Sequence, residues 1–218
     1  RLPRPTRLSA MHNGLRAVLF DLDGTLLDSI RHIIDSYHHA LATCGLPPRP
    51  DEHCLAGIGT PLRVQFGDWA HDPELYERLI ATYRDYNISN HDARVSCYPG
   101  VQDVVAEIKR RGFATGLVTS KQRTGAMRGL DFMKMSHLMD LVIAADDVQN
   151  PKPHPEPLLK AAEQLGADPR EAIYVGDSVH DMISGKAAGM RTAAALWGPF
   201  SRETLERTGP DYWLSCPA

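Results

Sequence analysis

The sequence predicts an α/β fold: a Rossmann-like parallel sheet with a small α-helical domain inserted after the first strand. Two patterns favour this fold class. From residue 99 onwards, short apolar runs alternate with amphipathic helical segments, which is typical of a parallel sheet built from strand–helix units. Residues 29–95, in contrast, show helical spacing and no strand-like run. The chain has 218 residues, of which 43% are hydrophobic and 23% charged, as expected for a globular protein with a substantial core.

The first strand is predicted at residues 17–20, because an uninterrupted apolar run of this length is typical of a strand buried on both faces. A helix follows, in which apolar side chains recur at steps of three and four residues: Ile30, Ile33, Ile34, Tyr37 and Leu41. Asp72 and Pro73 begin a second amphipathic helix within the insert. Between these helices, the density of glycine and proline in residues 56–62 predicts a shaped turn.

The rest of the chain continues as strands and helices in alternation. Apolar runs predict further strands at 113–118, 142–144, 172–175, 192–196 and, at the edge of the sheet, 212–214. Helices are predicted at 101–111, 156–165 and 178–188. A glycine follows each of these helices directly, as is common where helices end, at Gly112, Gly166 and Gly189.

These patterns divide the chain into three parts. Residues 1–15 are interpreted as an N-terminal extension, in which prolines disfavour a helix and the only charged side chains are arginines. Residues 16–28 and 96–218 are predicted to form the α/β core domain. Residues 29–95 are predicted to form a helical domain, called the cap below, that connects to the core through two chain crossings.

The composition excludes several classes of protein. Lysine and arginine number 24 and aspartate and glutamate 27, a formal net charge of -3, so the charge balance does not favour nucleic-acid binding. No apolar run is long enough for a transmembrane helix, and no segment resembles a signal peptide. The 4 cysteines are scattered without a CxxC pair, which favours reduced thiols in a cytoplasmic protein over a zinc site or a disulfide scaffold. We expect a monomer or a homodimer without a membrane partner.

Polar side chains fall in four clusters where predicted strands end. The four clusters are Asp21 with Asp23, Thr119 with Ser120 and Lys121, Lys152, and Asp177 with Asp181. Because the carboxyl ends of parallel strands meet at one edge of a sheet, we expect these clusters to lie close together despite their separation in sequence.

Three carboxylates in one place, Asp21, Asp23 and Asp177, cannot all stay ionised unless a cation neutralises them. Hard oxygen ligands without histidine or cysteine favour Mg²⁺ over zinc. Lys152 and the Thr119 hydroxyl supply positive charge and a hydrogen bond, which suit a phosphoryl group. A carboxylate can also act as a covalent nucleophile and form an aspartyl-phosphate.

Asp23 is predicted to follow a turn directly after Asp21, and Gly24 permits such a turn.

The motifs resemble those of one enzyme family. Residues 21–25, Asp-Leu-Asp-Gly-Thr, are similar to the DxDGT signature of the haloacid dehalogenase superfamily. Thr119, Lys152 and the Gly-Asp-Ser-Val-His-Asp segment at 176–181 resemble its second, third and fourth motifs, in the same order. The resemblance covers roughly residues 15–215 and implies a sheet core with a helical cap. Segments 57–62 and 118–121 look most like those of phosphoglycolate phosphatases and their pyrophosphatase relatives.

The resemblance implies a role for each core residue. Asp21 is expected to be the nucleophile that attacks phosphorus and a ligand of Mg²⁺. Asp23 is expected to act as general acid and then as general base, and to offer its backbone carbonyl to Mg²⁺. Thr119 and Lys152 are expected to hold the phosphoryl oxygens, and Asp177 to bind Mg²⁺. The dehalogenases of the superfamily lack the second aspartate, so its presence favours phosphoryl transfer.

Further roles follow from the same resemblance. Ser120 and the backbone around Gly24 are expected to bind phosphate. Asp181 is expected to orient Lys152 or a metal-bound water. The chain departs from the family pattern in two places: Ser120 stands where these phosphatases often have asparagine, and Pro151 stands where glycine is common.

The predicted activity is Mg²⁺-dependent hydrolysis of a small phosphomonoester, such as phosphoglycolate, a sugar phosphate, a nucleotide or a biosynthetic phosphate. Thr60, Arg63 and Lys121 are candidate substrate-binding residues at the cap and the cleft beneath it. Two alternatives remain open at this point. One is a phosphomutase similar to the β-phosphoglucomutases, which would have the same catalytic motifs and depend on a bisphosphate activator. The other is a non-catalytic phosphate-binding protein.

Overall fold

The computed structural model of the protein describes residues 14–217; residues 1–13 of the predicted N-terminal extension lie outside the described residues. The strands are β1 (Ala17–Phe20), β2 (Leu27–Asp28), β3 (Ser96–Cys97), β4 (Ala114–Val118), β5 (Leu141–Ile143), β6 (Ala172–Gly176), β7 (Arg191–Ala195) and β8 (Tyr212–Leu214). The helices are α1 (Ile30–Thr43), α2 (Asp51–Ala56), α3 (Leu62–Gly67), α4 (Pro73–Arg94), α5 (Val101–Arg110), α6 (Arg123–Phe132), α7 (Glu156–Leu165), α8 (Val179–Ala187) and α9 (Arg202–Glu206). Among these helices, none combines the length and hydropathy needed to cross a membrane.

Within residues 14–217, six strands form one parallel sheet in the order β5-β4-β1-β6-β7-β8. Strand β1 lies between β4 and β6, so that Phe20 is opposite Leu117 on one side and Val175 on the other. The predicted fold class is confirmed, and each predicted strand lies within two residues of an observed one. This order places the ends of β4 and β6 on either side of the end of β1.

The sheet is covered on both faces, which explains the continuous apolar runs of its strands. Successive side chains of β1 alternate between two cores. Val18 and Phe20 pack in the core that contains residues of α5 and α6. Ala17 and Leu19 pack in the core that contains residues of α7. Buried side chains on both faces hold the central strand in place and therefore fix the position of Asp21, which directly follows it.

Local capping sets the ends of the helices beside the sheet. Gly166 takes a left-handed backbone conformation directly after α7, as predicted. The predicted start of α8 at residue 178 is one residue early, because Ser178 is the N-cap: its hydroxyl accepts a hydrogen bond from the amide of Asp181. The predicted end of α5 is one residue late, since Arg111 is the C-cap of that helix.

The helices α1 to α4 have an apolar core of their own, which contains the aromatic side chains of Tyr37, Phe66 and Trp69. Asp72 caps α4, as its side chain accepts from the amide of Leu75. The antiparallel pair β2 and β3 joins the two chain crossings between these helices and the sheet. The separate apolar core supports the predicted cap at residues 29–95, whose bounds remain a prediction.

Candidate active site

Asp21 lies at the carboxyl end of the central strand. Its amide donates to the carbonyl oxygen of Val175 at 2.9 Å, which continues the pairing of β1 with β6 by one residue. On the other side of β1, the amide of Thr119 donates to the carbonyl oxygen of Ile143 at 2.9 Å. Because Asp177 directly follows β6, the sheet order brings Asp21, Thr119 and Asp177 to the same edge, where all three side chains are buried.

A tight turn follows Asp21, as predicted. The carbonyl oxygen of Leu22 accepts from the amides of Leu26 and Leu27 at 2.9 Å, and the amide of Gly24 donates to Leu27 at 2.9 Å. Gly24 has a φ of 86°, a conformation that L residues rarely adopt. Since the Gly24 amide already has this acceptor, its predicted contact with phosphate stays a prediction.

Burial shifts the pKa values of the carboxyl groups at this edge. Burial raises the pKa of Asp21 to about 7, although the charge of Lys152 lowers it and that of Asp181 raises it further. Burial also raises the pKa of Asp177 well above its ordinary value, with the charges of Asp181 and Asp21 acting in the same direction. The hydroxyl of Thr25 partly offsets this by donating to Asp177 Oδ1 at 2.6 Å. The carboxylates therefore lack positive charge, which a bound cation would supply.

The donors present fit a hard divalent cation. Carboxylate oxygens of Asp21, Asp177 and Asp181 lie within 4.8 Å of one another, and all three residues are buried. Asp21 Oδ1 accepts no hydrogen bond among the described residues, although it lies 3.0 Å from Lys152 Nζ. Oxygen donors without nitrogen or sulfur are the ligand set that Mg²⁺ prefers.

Asp181 differs from the other two acids because both of its oxygens are already engaged. Its Oδ1 accepts from Lys152 Nζ at 2.6 Å, and its Oδ2 accepts from the hydroxyl of Ser178 at 2.6 Å and from the Ser178 amide at 3.0 Å. These contacts support the predicted role of Asp181 in orienting Lys152, and they favour Asp21 and Asp177 as the carboxylates that would hold the cation.

Lys152 is buried at the centre of this cluster. Besides Asp21 and Asp181, its Nζ contacts the hydroxyl of Tyr174 at 2.9 Å. Burial lowers the pKa of Lys152, but the neighbouring charges of Asp181 and Asp21 outweigh burial and raise it overall, so the ammonium stays charged. The Tyr174 hydroxyl donates to the carbonyl oxygen of Val118 at 2.8 Å and is therefore fixed between β4 and β6. Sequence reasoning missed Tyr174, which the sequence presents as an ordinary buried residue of an apolar strand.

Asp23 stands apart from the other acids and forms a separate ion pair. Lys121 Nζ lies 2.8 and 3.1 Å from its two carboxylate oxygens, and the hydroxyl of Ser29 donates to Oδ1 at 2.6 Å. Burial opposes ionisation, yet the charge and hydrogen bonds of Lys121 and the hydrogen bond of Ser29 lower the pKa of Asp23 below its ordinary value. Two carboxylates two residues apart in sequence thus have pKa values shifted in opposite directions, which suits different chemical roles.

Comparisons with known proteins identify the family. A family model described as haloacid dehalogenase-like hydrolase matches residues 18–195. The chain belongs to this family. A protein named pyrophosphatase PpaX from Bacillus cereus (strain B4264) is 42% identical over 200 residues, which cover 92% of each chain. One of the same name from Anoxybacillus flavithermus (strain DSM 21510 / WK1) is 42% identical over 201 residues, which cover 92% of this chain and 93% of the relative.

Solved structures support the fold of the haloacid dehalogenase-like hydrolases. A hydrolase of this family from Bacteroides fragilis has a TM-score of 0.86 and 26% identity, covering 93% of this chain and 97% of that one. A predicted phosphoglycolate phosphatase from Haemophilus somnus 129PT has a TM-score of 0.87 and 23% identity, covering 94% and 96% respectively, and shows the fold alone. With the relatives above, these findings confirm the interpretation of the chain as a hydrolase of the phosphatase type within the superfamily.

In this haloacid dehalogenase-like hydrolase, the cap and the core enclose a cavity of about 330 Å³. Asp21, Asp23, Thr119 and Asp177 line it from the core side. The hydroxyl of Ser120 donates to the carbonyl oxygen of Gly59 in the cap turn at 2.7 Å. Ser120 is therefore engaged with the cap, and its predicted binding of phosphate remains a prediction.

The candidate substrate-binding residues Thr60, Arg63 and Lys121 all line this cavity. Two of them are engaged within the cap: the hydroxyl of Thr60 donates to the Gly57 carbonyl oxygen at 2.6 Å, and Arg63 pairs with Glu77 at 2.8 Å. Lys121 is engaged with Asp23, as described above.

A third cation, which was not predicted as a site residue, also lines the cavity. It is Arg84, on the long cap helix α4. A single arginine on an amphipathic helix carries no distinguishing pattern, so only the fold reveals that it faces the site.

Proposed function

We propose that this hydrolase is a Mg²⁺-dependent phosphatase that cleaves a small phosphorylated substrate through an aspartyl-phosphate on Asp21. The observation that carries the proposal is that two carboxylates after the same strand lie in different environments. Asp21 lies against the charged Lys152 among buried acids, whereas Asp23 lies on the cavity side with Lys121 and Ser29. The relatives named pyrophosphatase make inorganic pyrophosphate the first substrate to test beside phosphomonoesters.

In the first step, a carboxylate oxygen of Asp21 bonds to phosphorus while the bond between phosphorus and the leaving oxygen breaks. Asp23 enters this step protonated, with a proton taken up from solvent as the leaving group takes the place of the Lys121 contact, and donates that proton to the leaving oxygen. Lys152 and the hydroxyl of Thr119 bind the phosphoryl oxygens and stabilise their charge. The step yields phosphorylated Asp21 and the free leaving group.

In the second step, Asp23 as a carboxylate accepts a proton from a water molecule whose oxygen bonds to phosphorus. The bond to Asp21 breaks, inorganic phosphate is released, and both aspartates return to their starting forms. Lys121 and Ser29 favour the ionised Asp23 that this step needs. The Asp21 and Asp177 carboxylates and the Asp23 backbone carbonyl would hold Mg²⁺, which when bound supplies positive charge that favours ionised Asp21 and offsets the phosphoryl charge.

The proposal is tested by Mg²⁺-dependent phosphate release from pyrophosphate, phosphoglycolate, a sugar phosphate and a nucleotide. Asp21→Asn keeps the shape of the side chain but removes the nucleophilic carboxylate, so we expect no release above background. Asp103→Asn is the matched control, because Asp103 is exposed on α5 and outside the cavity lining. It is expected to act as the unmodified chain does.

The outcomes are distinct. Phosphate release that persists in Asp21→Asn, or that does not depend on Mg²⁺, contradicts the proposed mechanism. Turnover that requires a sugar bisphosphate and produces an isomer rather than phosphate indicates the phosphomutase alternative. A cytoplasmic location also belongs to the proposal and is consistent with the free thiols of Cys44, Cys54, Cys97 and Cys216.

A further inference from the structure

Arg84 is a half-buried cation on the cap side of the cavity, which it shares with Asp21 and Thr119 of the core. Within residues 14–217, its guanidinium forms neither an ion pair nor a hydrogen bond. An arginine loses hydration when it is partly buried, and this loss is normally offset by a carboxylate or another acceptor. Arg84 therefore presents unused hydrogen-bond donors and a charge to whatever fills the cavity.

The other two cations that line the cavity are already paired. The guanidinium of Arg63 contacts the two carboxylate oxygens of Glu77 at 2.8 and 3.2 Å. Lys121 Nζ contacts the two oxygens of Asp23 at 2.8 and 3.1 Å. Among the described cations of this cavity, Arg84 alone has its charge uncompensated by direct contact.

The surroundings of Arg84 favour an anionic ligand. Burial lowers the pKa of Arg84 and the like charge of Arg63 acts in the same direction, while Glu77 and Asp146 act against them without contacting the side chain. The cavity wall also contains apolar side chains, among them Ile58, Leu62 and Tyr83. An apolar wall excludes water and strengthens the attraction between a fixed cation and an anion.

We propose that Arg84 binds a second anionic group of the substrate, on the side of the leaving group. The inference rests on the proposed function, since the transferred phosphoryl group is held by the core between Asp21, Thr119 and Lys152, which leaves the cap side of the cavity to the leaving group. The substrate class is accordingly a diphosphate or a phosphorylated carboxylic acid, rather than a phosphate ester of a neutral alcohol. A guanidinium suits this role because it binds phosphate or carboxylate oxygens in pairs.

The test compares two substrate classes in the 218-residue chain with Mg²⁺. Pyrophosphate and phosphoglycolate leave an anionic group, whereas glycerol phosphate leaves a neutral alcohol. We expect Arg84→Gln to lower the ratio of kcat/KM for the anionic class to kcat/KM for glycerol phosphate by about ten- to hundredfold, as for loss of a charged hydrogen bond. Arg84→Lys, which keeps the charge but loses the paired donors, is expected to lose only part of this ratio.

Arg78→Gln is the matched control, because Arg78 lies on the same helix but is exposed and outside the cavity lining. It is expected to keep the ratio of the unmodified chain. A measurement without turnover accompanies the kinetics: calorimetry with imidodiphosphate, an uncleaved diphosphate, for which Kd should rise about ten- to hundredfold in Arg84→Gln and stay unchanged in Arg78→Gln.

The inference is overturned if Arg84→Gln leaves the ratio of the two kcat/KM values unchanged. An equal loss for both substrate classes would then indicate a structural role, and no loss for either would indicate no role. It is also overturned if imidodiphosphate binds Arg84→Gln and Arg78→Gln with the same Kd. Failure of the proposed function looks different: the unmodified chain would release phosphate from no substrate, or Asp21→Asn would release it unchanged. Because imidodiphosphate binding is measured without catalysis, the role of Arg84 is decided in either case.

Discussion

At the residue scale, four charged side chains are buried around one point: the carboxyl groups of Asp21, Asp177 and Asp181 and the ammonium of Lys152. Burial raises the pKa values of Asp21 and Asp177, and the neighbouring carboxylates raise them further because one buried cation cannot neutralise three buried carboxylates. Asp181 shows the opposite outcome, since burial raises its pKa but Lys152 and Ser178 outweigh burial and lower it. The cluster therefore has a fixed pair, Lys152 with Asp181, and two acids whose ionisation depends on added charge.

This imbalance predicts a pH-dependent stability of the metal-free chain. In the unfolded chain the pKa of Asp21 returns to 3.8, whereas in the folded chain it is about 7. Between these values the folded chain binds more protons at Asp21 than the unfolded chain, so this residue makes the free energy of unfolding fall as pH rises. At about 1.4 kcal/mol per pKa unit, the loss approaches about 4 kcal/mol at pH 8.

Asp21→Asn removes that titration, and urea unfolding in the presence of a chelator measures the result. We expect the variant to be the more stable chain by a margin that grows from about 1.6 kcal/mol at pH 5 to about 4 kcal/mol at pH 8. Buried histidines such as His32 and His91 titrate with the opposite effect on stability, but they are common to both chains and cancel in the difference. A stability difference that is constant from pH 5 to pH 8 would contradict the assignment.

At the scale of the element, the turn after β1 sets the directions of the Asp21 and Asp23 side chains. It directs the side chain of Asp21 to the buried acids and that of Asp23 to Lys121, and Trp197 supports it by donating its ring N–H to the carbonyl oxygen of Thr25 at 2.9 Å. Gly24 is essential to the turn for two reasons, its φ of 86° and its closeness to Asp177. A Cβ at this position would lie 2.4 Å from Asp177 Oδ2, well inside van der Waals contact.

Gly24→Ala is therefore expected to destabilise the chain by about 3 kcal/mol or more, since backbone strain adds to a clash with a buried carboxylate. It is also expected to weaken Mg²⁺ binding, because Asp177 must move. Gly112→Ala is the matched control: Gly112 has the same φ of 86°, but a Cβ there meets nothing within 4 Å. For the control, thermal unfolding should show a loss of only about 1–2 kcal/mol in the free energy of unfolding. An equal loss of unfolding free energy in the two variants would mean that the close approach to Asp177 does not destabilise Gly24→Ala.

The sequence predicted the elements where a strong local pattern exists. The apolar run of β1, the spacing in α1 and the Asp72 cap of α4 each depend on residues close in sequence, and the structure agrees with them. The pair β2 and β3 was missed because two-residue strands have no pattern of their own; they form through pairing across the whole cap. Helices α2 and α3 were likewise too short, at 6 residues each, for a periodic signal.

At the scale of the whole molecule, the same contrast separates the parts of the site. The strand-end acids were predictable because parallel strands bring their ends together whatever lies between them. Tyr174 and Arg84 were not, since a tyrosine in a strand and an arginine on a helix acquire meaning only through distant partners. Tyr174 contacts Lys152, 22 residues away in sequence, and Arg84 faces core residues across the cavity.

The same long-range order relates the cap to the core. The hydrogen bond from the Ser120 hydroxyl to the carbonyl oxygen of Gly59 joins residues 61 positions apart and seats the cap turn on the strand-end edge of the core. Gly59 itself approaches the core closely, since a Cβ there would lie 3.0 Å from the hydroxyl oxygen of Ser178. The turn at residues 57–61 thus lies beside Ser120 and Ser178 at the strand-end edge, where a cap can exclude water from the cavity.

Ser120→Ala removes this hydrogen bond without adding bulk. A neutral hydrogen bond contributes about 0.5–1.5 kcal/mol, so we expect amide hydrogen exchange in residues 57–61 to become about two- to tenfold faster, and KM to rise by a similar factor. Ser96→Ala is the matched control, because Ser96 is exposed and its hydroxyl makes no hydrogen bond within the described part of the chain. If Ser120 acts on phosphate instead, exchange in the turn stays unchanged while the inhibition constant of inorganic phosphate rises. Exchange in residues 57–61 therefore decides between a residue that holds the cap and one that holds the substrate.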